Sequence, residues 1–125
     1  MEPKDWRILV VEDEYDSVQM VTKILQHHGV QVFVAHNGQE CIDMLPKIKP
    51  TLVVMDLALP EMDGWETLAR MRANPETADI PVVAITAYHS VNVEADARRA
   101  GFDAYLSKPL DVQSLVRSLN AIISM

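Results

Sequence analysis

Five apolar runs, each of strand length, recur at residues 8–11, 32–35, 52–55, 82–85 and 104–106, and between them apolar residues return with helical period. This alternation limits the chain to few architectures. The runs ILVV at 8–11, LVVM at 52–55 and VVAI at 82–85 have little polar interruption and suit strands covered on both faces. The last segment is the clearest helix, because Val112, Leu115, Val116, Leu119, Ile122 and Ile123 share one stripe behind Asp111 at the N-cap position. Val18, Val21, Ile24 and Leu25 form a second stripe, over 16–28, which Gly29 stops. Asn37 with Glu40, and Asp63 with Glu66, have capping-box spacing and mark two helix starts. Pro46 and Pro50 bracket the end of the second helix, and Gly101 ends the fourth. Five β-α units with right-handed crossovers predict an α/β fold, a parallel sheet doubly wound with helices on both faces.

The 125 residues, 49% hydrophobic and 23% charged, suit a single domain spanning 1–125. A net charge of −7 argues against nucleic acid or an anionic membrane as a direct partner, and Arg98-Arg99 is too short to reverse it. One cysteine, Cys41, excludes an internal disulfide, and the longest apolar runs fall far short of a membrane span. Without the basic and apolar regions of a signal peptide at the start, a cytoplasmic location is expected.

In a sheet of this kind the functional crevice lies at the carboxyl ends of the strands. The first strand ends in Glu12-Asp13, the third in Asp56 and the fourth in Thr86-Ala87, and Ser107-Lys108-Pro109 follows the fifth. Three carboxylates gathered there repel one another by about 4 kcal/mol per pair at a spacing of about 4 Å in an intermediate dielectric. Lys108 offsets part of this, and a hard divalent cation, Mg²⁺ by its taste for carboxylates and water, would offset the rest. A carboxylate beside Mg²⁺ can attack phosphorus. Alone, Asp56 reads as a turn residue, Thr86 as a strand-end hydroxyl, Lys108 as a loop lysine and Tyr105 as packing; their convergence favours chemistry. Asp63 reads as a helix cap, Pro60 and Gly64 as loop geometry, and Cys41 as apolar filler. His36 and His89 have no partner at metal-ligand spacing.

The stretches ILVVEDE, VVMDLALPEMDG, ITA and AYLSKP, in this order and spacing, resemble the receiver domain of bacterial two-component response regulators. The resemblance spans nearly the whole chain. It implies a flavodoxin-like strand order 2-1-3-4-5, with Asp56 as phosphoacceptor, Asp13 as a direct Mg²⁺ ligand and Glu12 as holder of a metal-bound water. The Ala58 carbonyl would be a further ligand, Thr86 and Lys108 would bind phosphoryl oxygens, and Pro109 would follow a cis peptide. Tyr105 would be an aromatic switch, turning from a partly exposed to a more buried position as Thr86 swings toward the phosphoryl group and reshaping the surface of the fourth helix, fifth strand and fifth helix. The donor would be a phosphohistidine on a sensor histidine kinase or phosphotransfer protein. The output would be an unidentified protein or domain, and homodimerisation on phosphorylation stays open.

Glu12 stands where many receiver domains have aspartate, and its longer stem is expected to reach a metal-bound water all the same. By the same resemblance Ala58 and Tyr88 would flank the path of a hydrolytic water; neither is a strong base or amide, so slow self-dephosphorylation is expected. The chemistry would be self-directed, not that of an enzyme on an external substrate. A nucleotide- or flavin-binding reading fails for want of a glycine-rich cradle after the first strand. A dehalogenase-like phosphatase would need a second aspartate where Ala58 stands. The stronger rival is a docking module that works without phosphate. With the chain ending after the fifth helix, either a stand-alone regulator or one piece of a longer protein is expected.

Overall fold

The computed structural model describes residues 2–124. Each apolar run is a strand: β1 (Arg7–Val11), β2 (Gln31–Ala35), β3 (Leu52–Asp56), β4 (Val82–Thr86) and β5 (Ala104–Ser107). They alternate with α1 (Tyr15–His27), α2 (Gly38–Ile48), α3 (Gly64–Ala73), α4 (Val91–Ala100) and α5 (Val112–Ile123). The sheet is parallel throughout, in the order β2-β1-β3-β4-β5. The chain therefore leaves β1 toward one edge and returns across it to build the other, which places the reversal between β1 and β3.

Alternation within the strands divides the core in two. Leu9, Val11, Val53, Met55, Val82 and Ala84 pack with Cys41, Leu45, Leu68, Met71 and Ala97, from α2, α3 and α4. Their neighbours Ile8, Val10, Leu52, Val54, Val83 and Ile85 pack with Val21, Leu25, Leu115 and Leu119, from α1 and α5. Strands buried on both faces have no polar position inside them, so polar residues collect at their ends. Trp6, which follows a 3-10 turn at Pro3–Asp5 that periodicity did not suggest, belongs to the second layer. Burial pushes the Cys41 thiol up to about 12, as befits a filler.

Capping decides where the helices start. Asn37, Asp63 and Asp111 accept the backbone N–H of Glu40, Glu66 and Ser114 at 2.8, 2.9 and 2.8 Å. The Glu40 carboxylate reaches back to the His36 N–H and the Asn37 side-chain amide. Glu66 instead turns forward to Arg70 at 3.1 Å, so in neither expected box does the glutamate take the N-cap backbone N–H. Ser90, not marked in the sequence reading, caps α4 by accepting from Val93 N. Pro46 lies inside α2, which runs on to Ile48 and closes at Lys49 in the left-handed region, with Pro50 just beyond. Arg72 ties the sheet's far end together, donating to the carbonyls of Ala78, Ile80 and Gly101 and to Asp103.

The loop after β3 closes where Gly64 N donates to the Leu57 carbonyl at 3.0 Å. A Cβ on Gly64 would lie 2.6 Å from the Asp56 carbonyl oxygen and 2.8 Å from Leu57 Cα, and backbone cannot swing aside as a side chain can. Gly64→Ala is expected to cost about 1–3 kcal/mol through this overpacking, read as a lower denaturant midpoint at unchanged slope. Hydrogen bonds from the backbone and hydroxyl of Ser114 hold the Asp111 carboxyl below its ordinary pKa. A lowered folded-state value stabilises the fold above the unfolded pKa, and that contribution fades as pH falls through the folded value. Asp111→Ala should therefore lower the thermal midpoint at pH 7, with the gap to the parent narrowing in acid.

Candidate functional site

The β1–β3 reversal brings together groups far apart in sequence. Val11 pairs with Met55 and Asp56 with Ile85, so Glu12, one residue past β1, and Asp56, the last of β3, reach the same rim. Backbone bonds extend the ladder past the strand ends: Glu12 N donates to Ala35 O, Leu57 N to Ile85 O, and Lys108 N to Thr86 O. The Lys108–Pro109 peptide is cis. The Lys108 ammonium donates to Glu12 Oε1 at 2.5 Å and to Asp56 Oδ2 at 3.2 Å. Asp56 Oδ1 accepts the Ala58 N–H at 3.0 Å.

Glu12 is fully buried, Asp56 nearly so, and Asp13 is exposed, yet one carboxylate oxygen from each lies within 4.8 Å of the others. Burial, reinforced by the Asp56 carboxylate, pushes the Glu12 carboxyl up to about 7 against the pull of Lys108. Burial works to raise Asp56 as well, but the adjoining Glu12 carboxyl, the hydrogen bond from the Ala58 N–H and the Lys108 charge outweigh it and hold Asp56 below the usual carboxylate range. The two carboxylates likewise raise Lys108, overriding its own desolvation and keeping it an ammonium. Glu12 Oε2 is one of three buried side-chain polar atoms without a hydrogen-bond partner among the described residues. Three hard oxygen donors, two of them on one ammonium, with a buried oxygen unpartnered, form a donor set compatible with Mg²⁺.

The remaining predicted residues fall around this centre. Thr86 is buried, and its hydroxyl accepts from Tyr88 N at 3.0 Å; among the described residues no hydrogen bond joins that hydroxyl to Asp56 or to the Lys108 ammonium. Ala58 and Pro60 are exposed on the loop after β3, Asp63 caps α3, and Gly64 closes the loop. The Tyr88 ring is 76% exposed. Tyr105 departs from the partly exposed position expected of it: only 8% is accessible, and its hydroxyl shares a hydrogen bond of 2.9 Å with His89 Nδ1. His89 was passed over in the sequence because its partner lies 16 residues away on another element. Beside Lys108, a cleft of about 330 Å³ opens between α1 and Pro109, lined in part by Glu14, Ser17, Met20 and Ala87.

Comparison with known proteins fits this geometry. A family model described as response regulator receiver domain matches residues 8–120. The protein PilH of Pseudomonas aeruginosa is 31% identical over 94% of this chain and 98% of its own length. A crystal structure of a putative response regulator from Chloroflexus aurantiacus superposes with a TM-score of 0.92 at 28% identity, covering 96% of this chain and 98% of the other. The receiver domain of a sensor histidine kinase from Pseudomonas aeruginosa, solved with a magnesium ion coordinated in its active site cleft, gives a TM-score of 0.88 at 26% identity over 96% and 98% of the two chains. The chain belongs to the response regulator receiver domains of two-component signalling.

Proposed function

We propose that the protein is a phosphorylation-controlled switch in which Asp56 takes a phosphoryl group from the phosphohistidine of a sensor histidine kinase or phosphotransfer protein. The observation that carries this reading is the Lys108 ammonium bridging the buried carboxylates of Glu12 and Asp56, with Asp13 beside them. Asp56, held below the usual carboxylate range, is an ionised nucleophile at neutral pH. One of its oxygens forms the new bond to phosphorus as the phosphorus–nitrogen bond breaks, and the imidazole leaves with that electron pair. Lys108 then offsets charge on the transferred oxygens, the larger part of catalysis in this chemistry. Glu12 through water, Asp13, Asp56 and the Ala58 carbonyl would hold Mg²⁺, which supplies further positive charge when bound. The Mg²⁺ in the cleft of the Pseudomonas neighbour supports this assignment.

The aspartyl phosphate adds strong acceptor oxygens and close to two negative charges beside Thr86. Thr86 answers with its hydroxyl, and Tyr105 reports the change at the surface of α4, β5 and α5, where a downstream protein or output domain docks. The acidic charge of −7 disfavours nucleic acid and anionic membrane as direct partners, and among the described residues no helix is long and apolar enough to cross a membrane. The expected setting is the cytoplasm. Homodimerisation on phosphorylation would use the same surface. A docking module indifferent to phosphate has no use for a lysine bridging buried carboxylates, which weighs against that rival.

Incubation with acetyl phosphate and Mg²⁺ should add one phosphoryl group by mass spectrometry, lost in Asp56→Asn and on chelation of the metal. Lys108→Ala should slow the reaction by about 100-fold, the scale of removing one preorganised donor. Absence of labelling on folded parent protein would overturn the reading. Because Ala58 offers nothing to orient a hydrolytic water, Ala58→Asn should shorten the phosphoryl lifetime by about tenfold, less than a full proton-transfer group achieves. The decay of labelled protein after removal of the donor measures it.

A further inference from the structure

His89 is the residue whose placement the site chemistry leaves unexplained. It lies in the segment from Ala87 to Ser90, exposed throughout, yet it makes the one side-chain hydrogen bond that the Tyr105 hydroxyl has among the described residues, next to the Ser90 backbone that also bears on that hydroxyl. The two rings sit 5.5 Å apart between centroids and tilted by 43°, so the imidazole covers the phenol as well as bonding it. On either side the segment is pinned by its own hydrogen bonds, Tyr88 N to the Thr86 hydroxyl and Val93 N to the Ser90 hydroxyl. The backbone of His89 is thus held where its ring meets β5. A tyrosine hydroxyl deprived of a partner does better in water than under a loop, so a buried phenol of this kind depends on the group that bonds it.

We propose that His89 is a positioning residue, a latch on the β4–α4 connection that keeps the Tyr105 ring buried. The inference rests on the reading of Tyr105 as the switch side chain and adds what holds that side chain in its buried position. A partner that requires Tyr105 turned outward must break the His89 contact to bind. Exposure of the tyrosine is a population, and the latch sets its size.

Nitration by tetranitromethane, mapped by peptide mass spectrometry on the unphosphorylated protein, reads the latch directly. The parent should react at Tyr15, which is 74% exposed, and at Tyr88, while Tyr105 is protected. Burial also raises the Tyr105 phenol pKa and so reduces the phenolate that the reagent attacks. In His89→Ala the nitration rate of Tyr105 should rise about fivefold, the population change that one hydrogen bond of ordinary net strength controls, with Tyr15 unchanged as internal reference. His89→Asn, whose amide can bond the same hydroxyl, should restore protection. Equal Tyr105 nitration in the parent and in His89→Ala would overturn the proposal. So would failure of His89→Asn to restore protection, which would reduce His89 to a steric cover. All of this is measured equally in an Asp56→Asn background, so a failed latch leaves the acceptor chemistry standing, and a failed acceptor leaves the latch result standing.

Discussion

The ammonium of Lys108, set between two carboxylates that the sheet has taken out of water, is the interaction around which the molecule is arranged. Placing Glu12 and Asp56 side by side in the interior would be prohibitive without it, since like charges in a poorly solvated site can neither separate nor be screened. One ammonium shared between two buried carboxyl groups leaves Asp13 without a compensating charge of its own. The consequence is a site short of positive charge, the condition under which the proposed Mg²⁺ and phosphoryl group would be drawn in. A fully neutralised cluster would be more stable and inert.

That arrangement depends on register more than on any single residue. Glu12 and Lys108 are separated by 96 positions, and Lys108 and Asp56 by 52. They meet because β1 and β5 stop level with β3 and β4, a coincidence enforced by pairings such as Val11 with Met55 and Thr86 with Ser107. A shift of one residue in β3 would exchange its two buried faces and turn Asp56 away. Gly64 guards the same geometry from the other direction, because the chain returning into α3 passes against the backbone of Asp56 and Leu57 with no room for a side chain.

The fold was legible because both of its periods are written plainly: uninterrupted apolar runs for strands covered twice, and helical stripes such as that of α5. The polar rim was legible for the same reason, since a strand with no polar interior displays its functional residues where it ends. Other features were not. Whether Glu66 turns back to complete a cap or forward to Arg70 is a choice between two interactions of similar worth, and spacing is compatible with both. Ser90 capping α4 lies amid Tyr88, His89 and Val91, which lack the expected spacing partner. The burial of Tyr105 depends on where the β4–α4 connection lays His89, and no periodicity describes a connection.

Hydrogen-bond accounting at Thr86 joins these threads. A hydroxyl accepts and donates at once, and the one at Thr86 already accepts from the Tyr88 N–H. Its proton is still free to be given to an incoming oxygen, so meeting a phosphoryl group does not require Thr86 to abandon the loop. A small turn of the hydroxyl can instead draw on Tyr88, and through the adjoining peptide on His89, which touches Tyr105. On the proposed reading the signal would pass through a short loop held by hydrogen bonds at both of its ends, with no need for vacated space beneath the tyrosine. The buried position of Tyr105 fits such a device, because a side chain already inside can respond only through the group that holds it there.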